Sequence, residues 1–103
     1  MTRYQLEQYQ IRYAIDGEVC QKCGKPAECI AHRIARTKVN YKIYGKYIID
    51  HNINLTPSCL KDNSYFNIGM NPNKCNKLVN LIKRYYSNYT FLDCKEIERI
   101  LNE

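Results

Sequence analysis

The feature that most constrains this chain is a pair of short hooks, Cys20-Gln21-Lys22-Cys23 and Cys59-Leu60-Lys61-Asp62, placed far apart in the sequence. Each hook offers two ligand atoms from one tight turn. Two hooks from distant segments are a common way to assemble a tetrahedral zinc site. Asp62 is an allowed but less usual structural ligand, and Cys75 and Cys29 are the other candidates for the fourth place. The chain has 103 residues, which fits a single domain over 1–103 whose modest core benefits from such a staple.

Six cysteines are present. They read as metal ligands or small buried residues rather than disulfides, on the expectation of a reducing cytoplasm. Met1 to Ile15 alternates polar with apolar residues and lacks a signal-peptide core. No stretch approaches the roughly 20 apolar residues of a membrane span.

The spacing predicts an α+β fold in which helices flank a small central unit. Thr2 followed by Gln5 forms a capping box for a first helix, with Tyr4, Ile11 and Ile15 on one face and Gly17 as its stop. Residues 27–35 are strand-like. A basic, Tyr-rich connection follows over 36–47. A second strand-like run begins at Ile48-Ile49 and continues to Pro57, and Cys59 to Phe66 is a short helix. Asn71-Pro72 starts a helix that runs to about Tyr85, with Leu78, Ile82 and Tyr85 on one face and Val79 beside them. Thr90 and Asp93 start the last helix, with Phe91 or Leu92, Ile97, Ile100 and Leu101 apolar.

Sixteen basic residues against ten acidic ones leave a formal charge of +6 and a pI near 9.0. A small basic domain attracts polyanions, and nucleic acid is the usual partner. Arg36, Lys38, Lys42 and Lys46 interleave with Tyr and Asn, a composition suited to tracking a phosphate backbone. Lys83-Arg84-Tyr85-Tyr86 adds to it. Ten tyrosines supply rings with a polar tip, useful in thin cores and wet interfaces alike.

The only two histidines also lie between the hooks. The order is Ala31-His32-Arg33-Ile34, then His51-Asn52-Ile53-Asn54-Leu55, then Cys59-Leu60-Lys61-Asp62-Asn63. From about residue 20 to 69 this order resembles the HNH endonucleases. In that family a knuckle Cys pair precedes a strand ending in His, then an Asn-Leu, then a C-x-x-C followed at once by His or Asn.

The resemblance implies a ββα-metal finger on a zinc knuckle, with an N-terminal helix before it and two helices after it. It implies a metal-dependent DNA endonuclease with His32 as general base. Asn63 would ligate the catalytic Mg2+ or Mn2+, and Asn54 would tie the loop to the His32 strand. The structural Zn2+ would sit on Cys20, Cys23, Cys59 and Asp62. His51 would be a support, or would contact phosphate or metal. A neutral imidazole suits water activation near neutral pH. One divalent ion can polarise the phosphate and neutralise the leaving oxygen, and magnesium needs only one or two protein ligands.

Two departures stand out. Ala31 occupies a position where many members place a second metal ligand, and Asp62 replaces a knuckle Cys. In an alternative register His32 becomes the metal ligand and Arg33 falls on the base. A guanidinium cannot accept a proton there, so that register needs His51 as base or predicts an inactive protein. In the preferred register Arg33 contacts phosphate or assists the leaving group.

A single finger cuts one strand at a time, so a double-strand break needs a homodimer or two nicks. The settings implied are phage, restriction or mobile-element biology. Two other readings compete. One is a non-catalytic zinc-stabilised nucleic-acid-binding module, favoured by Ala31 and Arg33. The other is a redox or metal-sensing protein built on Cys20 and Cys23, which leaves Asn54 and Asn63 without a role.

Overall fold

The computed structural model describes residues 1–85 and 92–103, and these residues form an α+β fold of five α-helices and a two-stranded antiparallel sheet. Helix α1 spans Arg3–Asp16. The Thr2–Gln5 capping box is formed, and Gly17 closes the helix in a positive-φ conformation that favours glycine. Tyr4, Ile11 and Ile15 are half-buried, but the two residues α1 buries fully are Gln8 and Arg12. The inward face of α1 is therefore polar at its centre.

The reason is what lies opposite. Residues 49–59 are all buried, and their polar groups need partners. Gln8 Oε1 accepts from the backbone N and the Nδ2 of Asn52, both at 2.8 Å. Arg12 donates to the Asn52 carbonyl at 3.0 Å, to Asp16 at 2.9 Å and to the Leu92 carbonyl at 2.8 Å.

Strand β1 (Cys29–His32) pairs with β2 (Leu55–Ser58), in a register that sets Cys29 against Ser58 and His32 against Leu55. The strand expected from Ile48 is thus shorter and later. Residues 46–54 are instead helix α3 (Lys46–Ile49) and a 3-10 turn, Asn52–Asn54, capped by His51. Side chains of Asn and His that bond nearby backbone divert the chain from a ladder. Pro57 does not end the strand but lies inside it, opposite Ile30. A two-stranded sheet consists of edges, where proline is tolerated.

The connection over 36–47 is largely helical: α2 spans Lys38–Tyr44. Thr37 accepts from Asn40 N at 3.1 Å, and Gly45, at φ 85°, receives the chain at the other end. The helix expected over 59–66 is only a 3-10 turn, Asn63–Phe66.

Helix α4 (Pro72–Arg84) starts from the Asn71 cap and Pro72 as expected. Helix α5 (Cys94–Asn102) is capped by Asp93. Tyr86, Thr90 and Phe91, named above, lie outside the described residues. The hydrophobic core joins Leu78, Leu81 and Ile82 of α4 and Ile97 and Leu101 of α5 to Ile34, Ile49 and Ile53. No helix among the described residues is long and apolar enough to cross a membrane.

Asn54, with no exposed surface, joins the end of β1 to α3. Its Oδ1 accepts from Ile34 N at 2.8 Å, while Nδ2 donates to the carbonyls of Ile34 and Ile49 at 3.1 and 2.7 Å. Asn54→Ala should strand these backbone groups and destabilise the fold by about 3 kcal/mol. Urea unfolding measures this, and a loss under about 1 kcal/mol would show that the bridge is dispensable.

Candidate metal centre and histidine site

The two hooks meet. The ligand atoms of Cys20, Cys23, Cys59 and Asp62 all lie within 4.8 Å of one another, a group that could hold a metal ion. The first hook is a turn in which Gly24 N donates to Cys20 O at 2.9 Å, and Gly24 takes a φ of 76°. Gln21 N donates to the Pro57 carbonyl at 3.1 Å, and Glu28 N to that of Ser58 at 3.0 Å. The knuckle is therefore fastened to β2, directly before the second hook.

Asp62 Oδ2 lies 3.5 Å from Cys20 Sγ and 3.3 Å from Cys59 Sγ, and the Cys23 and Cys59 sulfurs are 3.8 Å apart. Burial pushes the Cys20 thiol up. The backbone amides of Cys23, Cys59 and Lys22 outweigh that effect and hold it down at about 7. Neither alternative fourth ligand is in the cluster. Cys75 is in the core, and Cys29 contacts Asn63 Nδ2 at 3.1 Å and the Ser58 carbonyl at 3.3 Å.

His32 ends β1 with its side chain only 8% exposed, and Nε2 lies 3.9 Å from Asp50 Oδ1. That nitrogen is buried without a hydrogen-bond partner among the described residues. Burial, and then the nearby Arg36 charge, lower its pKa to about 4 against the pull of Asp50, so the ring is neutral at ordinary pH.

Asp50 is held by Tyr41 Oη at 2.9 Å and Gln5 Nε2 at 3.2 Å, and the Tyr9 ring stands edge-on to His32 at 6.3 Å. Sequence reasoning missed Asp50, Tyr9 and Tyr41 as neighbours of His32. The Thr37 to Gly45 bracket was the available signal, because it makes 38–44 a helix and directs Tyr41 back toward Asp50.

The other expected site residues are dispersed. Asn54 is the backbone bridge described above. His51 is buried and caps its turn, Nδ1 accepting from Ile53 N at 3.1 Å. Burial, then Arg12, lower its pKa to about 4. Asn63 lies against Cys29, not His32. Cys29 and His32 are about 10 Å apart along β1 and project to alternate faces.

Arg33 is buried, with Nη1 3.5 Å from Glu98 Oε1 and its guanidinium 6.0 Å from the Phe66 ring centroid. Arg36, Lys38, Lys42 and Lys46 are all exposed. Lys38 and Lys42 share one face of α2 by their i,i+4 spacing. Comparisons with family models, curated proteins and solved structures found no match to this chain.

The two buried rings make stability pH-dependent. The unfolded chain protonates them below about 6.5 and the folded chain only near 4. Stability is therefore full above pH 6.5 and falls as pH drops toward 4, by at most about 1.4 kcal/mol per pH unit for each ring. His32→Gln should make urea midpoints measured between pH 7 and 4.5 fall less steeply than in wild type. Parallel slopes would show that His32 is not held neutral.

Proposed function

We propose that this chain is a zinc-knuckle nuclease that hydrolyses phosphodiester bonds in DNA by an HNH-type mechanism, with His32 as general base. The observation that carries this reading is the neutral His32 ring backed by the Asp50 carboxylate and flanked by Arg36. At 3.9 Å the Asp50 carboxylate is not hydrogen-bonded to Nε2, but a negative charge facing that nitrogen stabilises the imidazolium that forms when the ring takes a proton. Arg36, exposed beside it, supplies charge for a phosphate. Lys38, Lys42 and Lys46 extend the positive surface along α2 and α3.

The donor set supports zinc as the structural ion. Zinc–sulfur bonds of about 2.3 Å at a tetrahedral angle separate two thiolates by about 3.8 Å. A sulfur and a carboxylate oxygen on the same ion lie about 3.6 Å apart. The Cys23–Cys59 separation of 3.8 Å and the Cys20–Asp62 separation of 3.5 Å fit. When bound, such an ion cross-links the knuckle to the end of β2, which aligns β1 and His32. A catalytic Mg2+ or Mn2+ would supply Lewis-acid stabilisation of the leaving oxygen. Asn63 offers it an amide oxygen, since its nitrogen is engaged by Cys29.

A second reading is a binding module of the same architecture that does not cut. The observation favouring it is the separation of Asn63 from His32 on β1, which parts the expected metal ligand from the expected base.

Supercoiled plasmid incubated with the protein and Mg2+ or Mn2+ should become relaxed, and His32→Ala should abolish relaxation while still shifting DNA on a gel. Asp50→Asn should lower the rate about 10- to 100-fold with little change in DNA affinity. DNA shifting without relaxation, across substrates of varied sequence, would establish the binding module instead. The purified protein should carry one zinc per chain, lost with a large drop in Tm on chelation. Cys59→Ser should reproduce that drop, and an unchanged Tm would remove the structural role of the ion.

A further inference from the structure

Arg33 is among the most deeply buried side chains in the molecule, yet its charge is poorly matched. Among the described residues, Nε and Nη2 are buried without a hydrogen-bond partner, and Nη1 has a 3.5 Å contact to Glu98, whose side chain is 37% exposed. A buried guanidinium with open donors is costly unless an anion completes it.

Arg33 lines a cavity of about 300 Å3 between the Asn63–Phe66 turn, the start of α4 and α5. The other polar groups there are biased toward donation. Asn67 Oδ1 accepts from Gly69 N at 2.7 Å, and Asn71 Oδ1 accepts from Lys74 N at 3.1 Å. Those turns use the amide oxygens and leave the Nδ2 groups as donors. Lys74 adds a second cation. The cavity also receives the N-terminus of a 13-residue helix, whose dipole favours an anion there, although Pro72 has no N–H and Lys74 N is taken by the Asn71 cap. Glu98 is the one acid among these lining residues.

We propose that this cavity is a phosphate-binding site. Arg33 is its buried cation, with Lys74 and the α4 N-terminus as the rim, and Glu98 is a carboxylate that swings out when phosphate enters. A planar guanidinium matches two oxygens of one phosphate, and Glu98 holds that position weakly in the empty state. The site is separate from His32, whose ring faces Tyr9 and Asp50, and it does not depend on cleavage. The phosphate can come from free inorganic phosphate or from the 5′ end of a nucleic-acid strand.

The test is isothermal titration of the zinc-loaded full chain with inorganic phosphate, and with a short oligonucleotide with and without a 5′-phosphate, at matched ionic strength. Saturable binding is expected, about two- to fivefold tighter in Glu98→Gln and weaker by a similar factor in Lys74→Ala. Both changes are at partly exposed side chains, so they keep the test usable if Arg33→Gln does not fold.

That variant pattern with inorganic phosphate identifies a free-ion site. The same pattern seen only with the phosphorylated oligonucleotide identifies a strand-end site. Absence of saturable phosphate binding together with indifference to the 5′-phosphate overturns the proposal, as does equal affinity in wild type, Glu98→Gln and Lys74→Ala. His32→Ala should keep the phosphate response, so failure of the nuclease reading and failure of this site are separately visible.

Discussion

Asn54 spends its whole side chain on main-chain groups, and the arrangement around the histidines depends on it. One residue fixes the backbone where the chain leaves β1, at Ile34, and where it leaves α3, at Ile49. The segment between those points carries α2 and α3. Asp50 therefore arrives beside His32 because the segment's two ends are pinned at one amide. A peptide-like side chain is suited to this, since it donates and accepts in one plane. Gln8 and Arg12 extend the same logic from α1 by satisfying Asn52. Together these residues let a run of buried polar backbone exist without ladder partners.

The Cys20, Cys23, Cys59 and Asp62 cluster, which could hold a metal ion, adds a second constraint on the same pair of strands. Its first hook is bonded to the Pro57 and Ser58 backbone, and its second follows β2 immediately. Local geometry thus carries most of the assembly, and an ion would lock it. This explains how a domain with a modest core keeps two short strands in register, since an isolated hairpin is marginal in water.

The sequence pair His32-Arg33 divides the molecule's chemistry between two environments. His32 meets a carboxylate and the Tyr9 ring, and burial keeps it neutral. Arg33, one residue later, cannot lose its charge and lies among amides, a weakly held carboxylate and a helix N-terminus. The separation falls where the chain leaves β1, His32 being its last residue and Arg33 the first beyond it. In the roles proposed for them, the first environment serves proton transfer and the second anion capture. Asn63 lies against Cys29 rather than His32, and in this the arrangement departs from the one the family resemblance implied.

Much of this architecture was legible in the residues. The Thr2–Gln5 box, Gly17, and the Asn71-Pro72 start mark helices because capping is a local matter of donors and acceptors within a few residues. The metal hooks were legible for the same reason, as ligand type and spacing act within one turn. Thr37 and Gly45 carried an equally local signal for α2, masked by the basic, Tyr-rich composition.

Other features depend on what lies opposite. The polar inner face of α1 follows from Asn52, the helical course of 46–54 from the side-chain bonds of His51 and Asn54, and the partnership of His32 with Asp50 from the fold of the whole segment. The sequence by itself determined the helix boundaries at Thr2, Gly17 and Asn71, the two hooks and the basic charge balance. Only the tertiary structure decided which face of β1 each functional side chain would occupy, because that depends on strand register and on partners far away in the chain.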